Sequence, residues 1–164
     1  MSRISGWQQY SMLLAPPDEL LCSCSDRKSL ILGKIANYSY PTSCFSCGGQ
    51  IDPCSLLEPY LCAPLGRWAT VHRAILDLSM DVGDYADWAD GELGDPWSSV
   101  HRNGLQLVNA IREAGYSCCL WIQRPSEGDW AACPRCGGSV HRYSYLRWEV
   151  VMCDRCWIVS AHAR

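Results

Sequence analysis

The sequence predicts an α+β fold in which small β units at the two ends flank a two-helix middle segment. Three observations lead to this prediction. The 12 cysteines of the 164-residue chain form two clusters, one before residue 63 and one after residue 117. Between the clusters, apolar residues recur at intervals of three or four, which indicates helices. Outside that segment, short runs of β-branched and aromatic residues indicate strands.

The composition is typical of a folded protein with a buried core. Hydrophobic residues make up 48% of the chain, enough to bury a core. We divide the chain into an N-terminal region (1–62), a middle segment (63–115) and a C-terminal segment (116–164).

The first 17 residues contain an apolar run of only four, too short for a secretion signal or a membrane span. We therefore expect a cytoplasmic protein, in which cysteines bind metal or are buried rather than form disulfides.

The strands are predicted in both outer segments. The predicted ranges are 29–35, 116–122, 140–145, 147–152 and 157–160. Cys118 and Cys119 are adjacent within one of them, so their side chains point to opposite faces of the strand. Neither is therefore expected to bind metal.

The helices are predicted in the middle segment. One covers about 65–80, where the apolar positions are Trp68, Val71, Ile75, Leu78 and Val82. The other begins with Asp95 as N-cap and Pro96 in the first helical position, and Gly115 ends it. Its predicted buried stripe consists of Val100, Leu107, Val108 and Ile111.

The C-terminal cysteines have the spacing of a zinc ribbon. Sixteen residues separate the pair Cys133 and Cys136 from the pair Cys153 and Cys156. Four thiolates close the tetrahedral shell of Zn²⁺ and leave no open position, so the predicted site is structural. The alternative is one redox-active C-x-x-C pair with buried thiols elsewhere.

The N-terminal cysteines predict a second zinc site. Cys22 and Cys24 form a C-x-C pair, and nineteen residues separate them from Cys44 and Cys47. Cys54 and Cys62 are close enough in sequence to compete as ligands. In the alternative interpretation, the C-x-C pair flanks a loop, and the two later cysteines are simply buried.

The two regions share a local pattern. Residues 44–51 and 133–140 both read C-x-x-C-Gly-Gly, followed by a polar and a β-branched residue. A turn after such a pair bends sharply, often with positive φ, so that amide groups point at the thiolates. The repetition predicts two similar metal-binding turns.

Three stretches together resemble a bacterial zinc-ribbon-containing family of unknown function, described as a candidate nucleic-acid-binding family. They are CPRCGGSVHRYSYLRWEVVMCDRCWIVS at the C-terminus, CSCSDRKSLIL with YPTSCFSCGGQIDP upstream, and the helix before YSCCLWI. The resemblance covers about residues 20–164 and implies that Cys22 and Cys24 share a site with Cys44 and Cys47. It also implies a shortened member without the family's usual N-terminal region, and residues 51–57 depart from the family pattern.

Catalytic motifs are missing from the sequence. None of the four histidines lies in the H-x-E motif of zinc deaminases, and neither H-E-x-x-H nor a phosphate-binding glycine loop occurs. The aspartates of the middle segment could hold Mg²⁺, but such runs are more often a solvated surface. We expect no enzymatic activity and no small-molecule substrate.

The middle segment carries the negative charge. It has 8 acidic and 4 basic residues, and no lysine or arginine occurs between residues 75 and 100. Acids interleaved with aromatic residues suit a basic protein partner, for example a toxin inhibited by an immunity protein or antitoxin. We call the candidate partner-binding residues the acidic surface: Asp81, Asp84, Tyr85, Asp87, Trp88, Asp90, Glu92, Asp95 and Trp97.

Nucleic-acid binding is the alternative function. In the C-terminal segment, arginines alternate with aromatic residues, which suits phosphate contacts and base stacking. We call these residues the ribbon set: Arg135, Arg142, Tyr143, Arg147, Trp148 and Arg155. The net charge of −3 opposes this function, because phosphate neutralisation supplies most nonspecific affinity.

Overall fold

The computed structural model describes residues 16–33, 40–81, 83–123, 130–145 and 148–161. Within these ranges the chain has the α+β fold that the sequence predicts. The strands are β1 (Ser29–Leu32), β2 (Thr42–Cys44), β3 (Gln50–Ile51), β4 (Ser117–Trp121), β5 (His141–Tyr145), β6 (Trp148–Cys153) and β7 (Ile158–Ala161). The helices are α1 (Pro59–Met80), α2 (Ala86–Gly94) and α3 (Ser99–Glu113).

The β units of the two ends are halves of one sheet. Its strand order is β3-β2-β1-β4-β7-β6-β5. The central pairs β1–β4 and β4–β7 are parallel, whereas the outer pairs are antiparallel hairpin neighbours. The middle segment provides the long crossover that a parallel pair requires, because it lies between β1 and β4 in the chain.

The sheet buries both faces at its centre. Leu30 and Cys118 belong to the main core, which α1 and α3 complete. Ile31 and Cys119 belong to a smaller cluster on the opposite face, with Val150 and Val159. The predicted separation of Cys118 and Cys119 onto opposite faces is therefore confirmed.

Helix α1 is longer than the sequence predicts. It begins at Pro59 and continues through Pro64, although an internal proline removes one helical hydrogen bond. Trp68 and Ile75 are buried, as expected, but Val71 and Leu78 are 54% and 36% exposed. Val82 lies outside the described residues, as do the end of the predicted strand 29–35 and Arg147. In the described part of the chain, no helix is both long and apolar enough to cross a bilayer.

The second half of the middle segment differs from the prediction. A third helix, α2, occupies part of the acidic run, and the N–H of Asp95 bonds to Gly91 O at its end. The N-cap of α3 is Ser98, not Asp95, and its side chain accepts a bond from the N–H of His101. The Asp95 carboxylate instead accepts the N–H of Trp97 at 2.8 Å, which closes a turn between the two helices. The predicted end at Gly115 is confirmed by its φ of +96°.

Helices α1 and α3 pack in antiparallel orientation over the sheet. Trp68 Nε1 donates to Val100 O at 2.8 Å, near the start of α3. Tyr116, just after α3, donates from its hydroxyl to Leu56 O at 2.6 Å, just before α1. The end of α3 therefore lies beside the start of α1, and the start of α3 lies beside the middle of α1, so the two helices run in opposite directions.

Candidate metal centres and binding surfaces

Four N-terminal cysteines form the first metal centre. The Sγ atoms of Cys22, Cys24, Cys44 and Cys47 all lie within 4.8 Å of one another. Cys22 precedes β1, Cys44 ends β2, and Cys47 lies in the turn that leads to β3. The centre therefore clamps the β2–β3 hairpin to the segment before β1.

Four C-terminal cysteines form the second metal centre. The Sγ atoms of Cys133, Cys136, Cys153 and Cys156 also lie within 4.8 Å of one another. Cys153 ends β6, and Cys156 lies in the turn between β6 and β7. This centre holds the predicted ribbon hairpin, β5–β6, against the start of β7.

The geometry fits zinc. A tetrahedral zinc ion with Zn–S bonds of about 2.3 Å separates its ligand sulfurs by about 3.8 Å. The Cys22–Cys47 Sγ distance is 3.6 Å and the Cys136–Cys153 Sγ distance is 3.7 Å. All twelve cysteines are free thiols. The two groups are thus suited to two structural zinc ions, and neither shell has an open position for substrate.

Glycine turns orient amide groups toward the sulfurs. Gly48 and Gly137 have φ values of 72° and 67°, as the shared C-x-x-C-Gly-Gly pattern predicts. Each donates its N–H to the carbonyl of the first cysteine of its pair, at 2.8 Å. The next amide, Gly49 N–H, donates to Cys47 Sγ at 3.4 Å. Such amide donors stabilise a thiolate and orient it toward a metal.

The pKa values of the thiols differ within each centre. Burial raises the pKa of Cys22 to about 12 and also raises the pKa of Cys156. The Gly138 amide, followed by the thiol of Cys156, lowers the pKa of Cys136 to about 7. At Cys47, burial acts to raise the pKa, but hydrogen bonds with the Gly49 amide and the neighbouring thiols have the larger combined effect. The pKa of Cys47 is therefore lowered. Each centre therefore combines thiols that ionise readily with thiols that a bound metal must deprotonate.

The remaining cysteines stay outside the two centres. Cys54 and Cys62 lie next to one another, and burial, followed by a hydrogen bond with Cys62, raises the pKa of Cys54. Cys62 also contacts Glu58 O. Neither replaces a ligand of the first centre, because Cys22 and Cys24 complete it. Cys118 and Cys119 are buried in the sheet.

The acidic surface is exposed to solvent. Its aspartates Asp81, Asp84, Asp87, Asp90 and Asp95 are all exposed, and Glu92 is half-buried. Its aromatic side chains are also exposed to solvent. The exposed fraction is 67% for Tyr85 and 52% for both Trp88 and Trp97. Tyr85, Asp87, Trp88 and Asp90 lie at the start or on the turns of α2.

A contact links the acidic surface to the ribbon set. The guanidinium of Arg135 lies 4.0 Å from the ring centroid of Trp97 and donates to Pro96 O at 2.8 Å. By sequence, Arg135 and Trp97 belong to different candidate functions, but they form one structural contact. No local pattern predicts this contact, because 37 residues separate the two positions.

The other described residues of the ribbon set lie on the β5–β6 hairpin and in the turn after β6. Arg142 and Arg155 are exposed, and Tyr143 packs edge-on against Phe45 with ring centroids 5.9 Å apart. Trp148 is part of β6, and Arg147 lies outside the described residues.

A groove that was not predicted from the sequence lies between the helices. The groove has a volume of about 740 Å³. We call it the helix groove, lined by Tyr60, Leu61, Pro64, Arg67, Trp68, Val71, Ile75, Trp88, Glu92, Ser99, Val100, Asn103, Gln106, Leu107 and Ala110. The signal for it was Val71, an apolar residue at a helical interval that the fold leaves exposed.

Comparison of the chain with known protein families, with curated proteins and with solved structures finds no match. The resemblance to the bacterial zinc-ribbon-containing family therefore remains a prediction from motifs, although the cysteine groups have the zinc-ribbon-like arrangement that it implies.

Proposed function

We propose that this chain is a noncatalytic, zinc-stabilised cytoplasmic protein that binds and inhibits a basic protein through its acidic surface, as an immunity protein or antitoxin does. The observation that carries the proposal is the exposure of three large aromatic side chains among carboxylates. Tyr85, Trp88 and Trp97 are each more than half exposed. Folded proteins that expose apolar surface in one region usually use it for binding.

The charge of the region supports a basic partner. Between residues 75 and 100 the chain has seven acidic residues and no lysine or arginine. Such a surface attracts a positively charged protein over about a Debye length, while the aromatic rings supply affinity once they are buried. On a toxin that acts on nucleic acid, a series of carboxylates can occupy the site that binds the phosphates.

The zinc centres support a scaffold function. Both use four cysteines, so neither leaves a position at which a metal-bound water or a substrate could react. The metal ions would then fix the sheet on which the helices pack. Inhibition by occlusion needs such a rigid surface, because an ordered binding site loses less entropy on association.

Nucleic-acid binding has weaker support. Arg135 is engaged with Trp97 and Pro96 O, so it is less available for a phosphate. The remaining arginines of the ribbon set would have to overcome a net charge of −3.

The test removes charge from the acidic surface without changing its shape. Asp84, Asp87 and Asp90 become Asn in one variant, and Asp18→Asn, Glu19→Gln and Glu113→Gln give a control with the same loss of charge elsewhere. All six side chains are exposed, so folding and zinc content should stay unchanged. The tagged proteins are used to purify partners from native extract, and affinity is then measured by calorimetry.

We expect wild type and control to retain a basic protein, and the acidic-surface variant to bind it at least tenfold more weakly, about 1.4 kcal/mol. Equal affinity in all three proteins would refute the proposal. Retention of RNA or DNA in place of a protein would support the alternative function.

A further inference from the structure

The helix groove is an apolar surface that the described part of the chain leaves open. Trp68, Ile75 and Val100 are buried residues that line it, whereas Tyr60 and Val71 are 66% and 54% exposed. A volume of about 740 Å³ lies within the range of roughly 300–1,000 Å³ that binding clefts occupy.

The groove is preformed. Trp68 is fixed by its hydrogen bond to Val100 O and by close contact with Gly104 of α3. These contacts tie α1 to α3, so the groove between the helices does not depend on a ligand for its shape. A preformed groove reduces the entropic cost of binding.

The residues of the groove indicate the shape of its occupant. All fifteen lining residues belong to α1, α2 or α3, and none belongs to a strand. The groove therefore offers no strand edge to which an extended peptide could pair its backbone. An apolar groove between helices is the surface that takes one face of an amphipathic helix.

The charged residues at one end of the helix groove indicate the charge of the partner segment that it binds. Trp88 and Glu92 of the acidic surface both line the groove, and they lie four residues apart on α2. Asp84, Asp87 and Asp90 lie on or next to the same helix and are exposed. Of the acidic surface, Trp88 and Glu92 therefore border the groove on its α2 side, whereas Arg67 lines it from α1.

We infer that the helix groove receives an amphipathic helix of the basic partner, with apolar side chains in the groove and Lys or Arg side chains facing α2. This inference rests on the proposed function, since it names the part of the partner that binds. Val71 and Trp88 contact the apolar face of that helix, and Glu92, which lines the groove from α2, contacts its basic flank.

The test uses a displayed library of random 16-residue peptides as the probe. It is selected on the wild-type chain and on Val71→Asp, which places a charge in the groove at an exposed position. Leu78→Asp is the matched control, because Leu78 is an exposed residue of α1 that does not line the groove. Selected peptides are synthesised without tryptophan and titrated by fluorescence.

We expect wild type and Leu78→Asp to enrich peptides with net positive charge and apolar residues at i, i+3 or i+4, and i+7. Their affinity should fall at least tenfold on Val71→Asp. Enrichment of acidic peptides, or of peptides without this apolar spacing, would overturn the inference. Equal peptide affinity for wild type and Val71→Asp would overturn it as well. Self-association of the wild type that Val71→Asp abolishes would also overturn it, because the occupant would then be a second copy.

The two experiments distinguish failure of the groove inference from failure of the proposed function. If the acidic-surface variant loses the partner from native extract but Val71→Asp retains it, the proposed function stands and the groove inference is wrong. If Val71→Asp loses the basic peptides while the acidic-surface variant still binds the partner normally, the groove binds basic helices but the proposed function is wrong.

Discussion

At the scale of single residues, Trp157 occupies the turn position that glycine holds after the other two C-x-x-C pairs. Its φ is 55°, which costs an L-residue roughly 1–2 kcal/mol. Its half-buried indole packs against both hydrophobic clusters, and the Arg112 guanidinium lies 3.4 Å from the ring centroid. These contacts offset the backbone strain and link the second zinc centre to the last turn of α3.

His72 is a second residue whose surroundings are unusual. It is 4% exposed, it packs against Trp68, and its Nδ1 has no hydrogen-bond partner among the residues that the structure describes. Burial, followed by the nearby His101, lowers its pKa from 6.5 to about 4. The folded protein therefore keeps this imidazole neutral at a pH where the unfolded chain would protonate it.

We predict that His72 makes the fold sensitive to acid. Well above pH 6.5 His72 is neutral in both the folded and the unfolded state, and the folded protein loses stability as the pH falls toward 4, because the unfolded state then binds one proton more. The full decline is about 3 kcal/mol. In His72→Met the free energy of unfolding should depend less on pH over this interval, as measured by urea titration at saturating zinc. Zinc release in acid affects both proteins alike, so curves of identical shape would contradict the prediction.

At the scale of elements, the contact between α1 and α3 depends on a glycine. A Cβ at Gly104 would lie 2.8 Å from Leu120 Cδ1 and 3.1 Å from two atoms of the Trp68 ring. Glycine lowers helix propensity at this position, so the close packing of α3 against α1 and β4 explains its presence. The same packing forms the wall of the helix groove.

We predict that Gly104→Ala destabilises the protein by about 1–3 kcal/mol, although alanine favours helix formation. Gly91→Ala is the control, because Gly91 lies in α2 with no atom within 4 Å of an added Cβ. The control should be neutral or more stable by roughly 0.5–1 kcal/mol. Denaturant unfolding measures both. A Gly104→Ala protein as stable as the control would mean that α1 and α3 can move apart at no cost.

At the scale of the whole molecule, the two zinc centres occupy different places in one sheet. The first clamps β2 and β3, which form one edge. The second fixes the turn between β6 and β7, and β7 pairs with the central strand β4. Loss of the second centre should therefore disturb the core, whereas loss of the first should release an edge hairpin.

We predict that Cys153→Ser lowers stability more than Cys47→Ser does. Each substitution should reduce the zinc content from two ions to one, because each removes one of four ligands from its centre. Cys54→Ser is the control and should keep both ions, because Cys54 belongs to neither centre. Metal content is measured by mass spectrometry and stability by thermal unfolding. Equal loss of stability in the two ligand variants would show that the sheet unfolds as one unit from either centre.

The sequence by itself determined the local features of this protein. The cysteine spacing predicted both metal centres, although it left Cys54 and Cys62 as competing ligands for the first, and the paired glycines predicted turns with positive φ at residues 48 and 137. The helical intervals located most of α1 and α3. These features can be predicted because zinc coordination, turn geometry and helical periodicity each depend on residues close together in sequence.

Only the tertiary structure decided which distant segments meet. It joined β1 to β4 and β4 to β7, placed Arg135 on Trp97 and left Val71 exposed in the helix groove. The N-cap of α3 is Ser98 and not the predicted Asp95, because α2 occupies part of the acidic run and Asp95 is the C-cap of α2. The strand pairings and the Arg135–Trp97 contact depend on packing between segments far apart in sequence, and no local spacing encodes that packing.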